Sequence, residues 1–159
     1  MTLPYGRAYG KERVSFPKPF TKKNKVSIIG AVSLDAVEAA LYGEWNTDYD
    51  IFLTFIEQEI VPKLSKNKVV ILDNVPFHKK QKVIDTIENA GAKVLFLPPY
   101  SPELSPIENM WSKIKQMLKK LAPRTMSEFN KAISVAFKAI TKENLFGWFK
   151  HCGYEVGSI

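Results

Sequence analysis

Asp73 and Glu108 are the residues around which chemistry can be organised in this sequence. Asp73-Asn74 follows Val69-Val70-Ile71-Leu72, a short apolar run with the pattern of a strand buried on both faces. Open α/β sheets place their chemistry at the carboxyl ends of such strands. Glu108 opens a helix after Ser105-Pro106-Ile107, and the 34 residues between the two acids suffice for a helix, a strand and a returning loop. Carboxylates are the hard oxygen donors that Mg²⁺ takes, and phosphoryl transfer relies on positioning and charge neutralisation. Each acid also has a plainer reading. Asp-Asn after a strand is often a turn or a cap. Ser105-x-x-Glu108 with Pro106 at the first helical position is a complete capping box. The roles are compatible, because the helix dipole favours the ionised form of a first-turn carboxylate, as a metal ligand must be.

Several elements must position these acids. The pattern predicts a helix over Lys79–Ala90, with Val83, Ile84, Ile87 and Ala90 inward and Gly91 as its stop. Its first turn carries Lys79, Lys80 and Lys82, charges that oppose the helix dipole and suit either a phosphate or open solvent. A second apolar run, Val94–Leu97, stops at Pro98-Pro99. The helix from Pro106 to Leu121 turns Ile107, Met110, Trp111, Ile114, Met117, Leu118 and Leu121 inward; Glu108 shares the other face with Ser112, Lys115 and Lys119. Upstream, Val26–Ala31 and Val37–Tyr42 read as a hairpin around Asp35. A helix then starts near Tyr49, capped by Asn46 or Thr47, with Phe52, Phe55, Ile56, Ile60 and Leu64 on its apolar face. Thr125 opens a capping box with Glu128, and Thr141 caps a last short helix.

The 159 residues carry a net charge of +7, which favours a polyanionic partner. Residues 1–25 hold seven basic side chains, among them Arg7, Lys11, Arg13, Lys22 and Lys23, against Glu12 alone. Their prolines and glycines predict a loop or extended arm, either a solvated tail or a grip on phosphates. The single Cys152 excludes an internal disulfide and a cysteine zinc site. No stretch approaches the ~20 apolar residues of a membrane span, so the expectation is a soluble, intracellular protein.

The ordered set Asp73-Asn74, His78, Leu97-Pro98-Pro99-Tyr100-Ser101-Pro102, Pro106-Ile107-Glu108, Trp111 and Lys115 resembles the catalytic core of mariner-like bacterial insertion-sequence transposases, members of the DDE superfamily. The resemblance implies an α/β, ribonuclease-H-like fold, a mixed sheet flanked by helices. It divides the chain into a basic arm (1–25), a partial catalytic domain (26–122) and C-terminal helices packed on it (123–159). It makes Asp73 and Glu108 catalytic ligands of Mg²⁺, with Mn²⁺ as substitute, and places Asn74 and His78 behind them. His78 would orient Asp73 or touch a phosphate; alone, a histidine before a helix is more often a cap or a packed residue. Double-stranded DNA, as transposon ends and target, would be the partner. Arg7, Lys11, Arg13, Lys22, Lys23, Lys79, Lys80, Lys115 and Lys119 are its candidate contacts.

The family's first catalytic aspartate ends a central strand that would lie before Met1, so the resemblance predicts a sheet lacking that strand and a chain inactive unless joined to an upstream segment. A homodimer, or a complex with an upstream-frame product, is the corresponding assembly, in a bacterial cytoplasm close to the nucleoid. The alternative is a non-catalytic DNA-binding or dimerising fragment that modulates full-length enzyme. Departures from the family are mild: Ala36 stands where glycine is frequent, and Glu103 and Ser105 where aspartate and asparagine are.

Overall fold

The computed structural model describes residues 25–157, together with the backbone of two short antiparallel strands, β1 (Tyr5–Arg7) and β2 (Arg13–Ser15). Arg7 and Arg13 are cross-strand partners in that pair. Lys11, Lys22 and Lys23 lie outside the described residues.

The expected hairpin forms from β3 (Ser27–Val32) and β4 (Val37–Gly43). Ser33 closes its turn: the hydroxyl accepts from the amides of Asp35 and Ala36 at 3.1 and 3.2 Å, a local bond that replaces the conformational freedom of glycine. The strand period of two then sorts the side chains. Ile29, Ala31 and Ala39 join one hydrophobic cluster, while Ile28, Val32, Val37 and Tyr42 join another. Helices therefore cover both faces of the hairpin.

The first cluster is built on α1 (Tyr49–Phe55), which contributes Phe52 and Phe55. Its cap is Asp48, whose carboxylate accepts from the Ile51 amide at 3.0 Å, rather than the expected Asn46 or Thr47. The helix widens into a π-helical turn (Ile56–Ile60) that keeps Ile56 and Ile60 buried, then tightens over Val61–Lys63.

Two parallel strands follow, β5 (Val69–Leu72) and β6 (Lys93–Phe96), joined by α2 (Gln81–Asn89). The helix begins two residues later than its charge pattern predicts. Pro76 starts a tight turn over Pro76–Lys79, and Phe77 and His78 are drawn against the Phe52 ring, which leaves Lys80 extended. Gly91 ends the connection at φ 91°, a conformation that favours glycine. The expectation that β5 is buried on both faces does not hold. Leu72 is buried and Val70 packs on the first cluster, but Val69 is 52% exposed, and Leu95, the cross-strand partner of Ile71, is 51% exposed. The reason is that α1 and α2 cover one face only.

The second cluster belongs to α3 (Pro106–Leu121) and α4 (Met126–Lys138), which meet through Met110, Ile114, Leu118, Phe129 and Ile133. Trp111 of α3 lies over Gly30, where a Cβ atom would come within 2.8 Å of the indole. The final helix, α5 (Lys142–His151), is tied to α3 by Lys113, whose ammonium donates to the Ala139 carbonyl at 2.6 Å and to the Asn144 side chain. Both expected caps are present: Thr125 with Glu128, and Thr141 with Asn144.

The result is a mixed α/β fold of small sheets between helices. Among the described residues the hairpin β3–β4 and the pair β5–β6 are separate two-stranded sheets. No helix among the described residues is long and apolar enough to cross a membrane.

Candidate active site

Asp73 leaves the carboxyl end of β5, and the Pro76 turn brings His78 back to it. The Asp73 Oδ1 atom is in direct contact with Nδ1 of His78, a nitrogen with no other partner among the described residues. The imidazole is held between the rings of Phe52 and Phe77, at centroid distances of 3.9 and 4.7 Å, and is 14% exposed; the carboxylate is 55% exposed. Hydrogen bonding with His78 pulls the Asp73 carboxyl below its usual range, burial opposes this, and the histidine charge and the Val75 backbone assist. The acid is therefore ionised at neutral pH and oriented by a fixed ring.

Glu108 reaches the same place from the other direction. A cleft of about 370 Å³ is lined by Asp73, Asn74, Val75, the segment Leu97–Pro102, Ser105 and Glu108. The capping box expected from Ser105 and Glu108 is absent, for a local reason. The turn Pro102–Leu104 already takes the Ser105 N–H onto the Pro102 carbonyl at 3.0 Å, so the donor that Glu108 would cap is occupied. The Ser105 side chain makes no capping bond, and the Glu108 amide bonds instead to the Ser105 carbonyl at 3.1 Å. Relieved of that local role, the Glu108 carboxylate is exposed and has no partner among the described residues.

Asn74 also lines this cleft, and its Oδ1 is buried with no hydrogen-bond partner among the described residues. The two carboxylates that line the cleft are hard oxygen donors, the kind that suits a divalent cation such as Mg²⁺. Among the described residues no group of three or more histidine, cysteine or acidic side chains is placed to hold a metal.

Lys115 and Lys119 are exposed on the Glu108 face of α3, as is Lys79 beside α2. Lys80 is committed differently: its ammonium lies 4.3 Å from the centre of the Tyr49 ring, a cation–π contact.

Two features of the cleft are not legible in the motif pattern. Tyr100 has φ 55° and a fully exposed ring on the cleft wall. A non-glycine residue in that region is strained, and such strain concentrates at functional loops. The prolines around Tyr100 signal a rigid loop but not its hand. The second feature is Tyr154, whose hydroxyl donates to the Leu104 carbonyl in the turn before α3. Nothing in the spacing of 50 residues announces that contact.

The chain matches the family described as DDE superfamily endonuclease over residues 3–130. No curated protein matches it. Among solved structures it is similar to a Mos1 transposase paired-end complex with left transposon end, at 17% identity and a TM-score of 0.75, covering 96% of this chain and 47% of that one. The chain thus spans about half the length of that relative. It is also similar to the Mos1 transposase catalytic domain with Raltegravir and Mg, at 16% identity and a TM-score of 0.65, covering 79% of this chain and 68% of that one. The corresponding structure with Mn has 18% identity and a TM-score of 0.69, covering 84% and 72%. At these identities the likeness shows a shared fold, which is that of the Mos1 catalytic domain. With most of its length matched by the family, the chain belongs to the DDE superfamily of endonucleases.

Proposed function

We propose that this chain supplies part of the catalytic centre of a transposase that cleaves and rejoins double-stranded DNA at transposon ends and target, with Asp73 and Glu108 as two of the acids that hold Mg²⁺, or Mn²⁺ in its place. The observation that carries this reading is the meeting of the two carboxylates in one cleft, with Glu108 free of the capping role its local sequence offers. Divalent cations bound there supply charge neutralisation and a polarised oxygen for phosphoryl transfer. His78 orients Asp73, and Asn74 lines the same cleft behind the acid. Lys79, Lys115 and Lys119, with Arg7 and Arg13 of the amino-terminal strands, are the proposed phosphate contacts. The third acid of the family's triad is assigned to a segment outside this sequence, contributed by a longer product or by an associated chain in the bacterial cytoplasm.

The test is Mn²⁺ binding measured by calorimetry on the wild type, Asp73→Asn and Glu108→Gln, each checked for native unfolding. Each substitution should weaken binding about tenfold or more, in the range seen when a metal ligand or its support is removed. Equal affinity in all three proteins would overturn the assignment. A second reading, a non-catalytic DNA-binding or dimerising fragment, is favoured by the two-acid donor set, since no third acid joins it among the described residues. Salt-sensitive DNA binding with no Mn²⁺ affinity in the wild type would select it.

A further inference from the structure

We infer that the Tyr100 ring is a stacking platform for one unpaired nucleobase, the base next to the phosphate assigned to the Asp73–Glu108 cleft. The inference rests on the reading of that cleft as a DNA-cleaving site and names a further contact within it. Two non-glycine residues among those described have positive φ, Ala122 and Tyr100. Ala122 ends α3, where a left-handed residue is an ordinary helix cap. Tyr100, at φ 55°, ends no helix. Glycine would fill that region without strain, whereas any residue with a Cβ is disfavoured there. Burial does not offset the cost, because the Tyr100 ring is fully exposed.

The loop fixes the ring in place from both sides. The Leu97 N–H donates to the Leu72 carbonyl at 2.8 Å, directly before Asp73. Pro98 and Pro99 then lock φ at the next two positions. Beyond Tyr100, the Ser101 hydroxyl donates to the Pro99 carbonyl at 3.2 Å, and the Ser101 carbonyl accepts from the Leu104 N–H at 3.1 Å. Pro102 starts the turn that leads into the Glu108 helix. Tyr100 is thus anchored to the strand of one acid and to the helix of the other, and it lines the cleft they share.

The lining defines the ligand. Asp73 and Glu108 are the charged side chains of the cleft, and among the described residues no lysine or arginine joins them. With the phosphate assigned to the acids, the ring offers what suits the base of the same nucleotide, a neutral flat face. A cleft of about 370 Å³ is of small-molecule size, which suits a single nucleotide rather than a base-paired helix. In a duplex the faces of a base are covered by its neighbours. The ring therefore takes a base extruded from the stack or left unpaired at a strand end. Such stacking tolerates every base, so Tyr100 favours opened DNA without reading its sequence.

The probe is a short DNA duplex carrying 2-aminopurine as one unpaired 3′-terminal nucleotide, compared with the same duplex carrying it paired and internal. Both are titrated with the full chain, in Mn²⁺ and in chelator, and followed by fluorescence. The wild type should quench the unpaired probe and, in at least one of the two buffers, bind it about tenfold more tightly than the paired one. Tyr100→Leu keeps apolar bulk without the π face, so the preference and the quenching should disappear; Tyr100→Trp should retain both. Because the ring is exposed, Tyr100→Leu should unfold in urea as the wild type does. Should it not, Tyr100→Gly, which relieves the backbone as well, makes the same test. Calorimetry of Mn²⁺ on the wild type keeps the two readings apart. Mn²⁺ binding without a preference for the unpaired probe overturns the platform alone. A preference in chelator without Mn²⁺ binding supports the platform and removes the metal from the cleft. The inference is overturned by equal affinity of the wild type for the two probes in both buffers, by binding of neither, or by an undiminished preference in Tyr100→Leu.

Discussion

The Tyr154 hydroxyl donates to the Leu104 carbonyl at 2.8 Å, tying the end of the chain to the turn that precedes the Glu108 helix. That turn matters because its Pro102 carbonyl occupies the Ser105 N–H and so frees Glu108 from capping. Tyr154→Phe keeps the ring, and its edge contact with Phe149, while deleting one partly buried hydrogen bond. The expected loss is ~0.5–1.5 kcal/mol in urea unfolding, with faster exchange at the Leu104 and Ser105 amides. A variant as stable as wild type with unchanged exchange would show that the tether does not hold the turn.

The Asp73–His78 contact predicts a pH dependence of stability in metal-free protein. Because the folded carboxyl titrates below its unfolded value, its contribution is present above the unfolded pKa of ~3.9 and is lost as pH falls through the folded value. The difference in thermal midpoint between wild type and Asp73→Asn should be widest above about pH 5 and should close as the pH drops below ~3.9. His78→Ala removes the first cause of the depression, so Asp73→Asn made in that background should show a smaller difference. A gap that stays constant down to pH 2 would mean the contact does not shift the carboxyl.

Gly30 and Trp111 make a packing prediction. The glycine lies in mid-strand between Ile29 and Ala31 and has no positive φ, so its cause is steric: a Cβ there would meet the indole at 2.8 Å. Trp111 sits on a packed helix and cannot retreat without disturbing Met110 and Ile114, both fully buried. Gly30→Ala should therefore destabilise by ~1–3 kcal/mol despite the gain in strand propensity. The double variant Gly30→Ala with Trp111→Leu should recover part of the loss. Stabilisation by Gly30→Ala alone would show that the indole moves freely.

Much of this fold was legible because its signals are local. The hairpin, the α3 stripe and both threonine caps follow from periodicity and from side chains that bond within three residues of themselves. Errors came where a tertiary contact overrode a local rule. Lys79 and Lys80 look like a first helical turn, but Phe77 and His78 are more favourably packed against Phe52 than wound into α2. Ser105 and Glu108 match a capping box, yet the bond that forms is to Pro102. Val69–Leu72 has the composition of a strand with two covered faces, and the missing cover could not be seen from its residues. The Asp73–Glu108 pairing was suggested by the order of the motifs; their sharing of one cleft required the fold.

Lys115 and Lys119 separate DNA binding from catalysis. They stand exposed on α3, seven and eleven residues beyond Glu108, on the face that carries the acid out of the core. If DNA lies across that face, each lysine neutralises about one phosphate, and each loss should lower the salt slope of log Kobs by roughly 0.9. Lys115→Gln and Lys119→Gln should therefore weaken binding to random duplexes at low salt and flatten its salt dependence, without sequence preference. Unfolding free energies should stay within about 0.5 kcal/mol of wild type, since neither side chain is packed. Lys113→Gln is the informative contrast. Its ammonium is spent on the Ala139 carbonyl and Asn144, so stability should fall while the salt slope is preserved. Filter binding over a salt series, with urea unfolding of the same preparations, decides the matter. Unaltered slopes for Lys115→Gln and Lys119→Gln would move the DNA path off this face of α3.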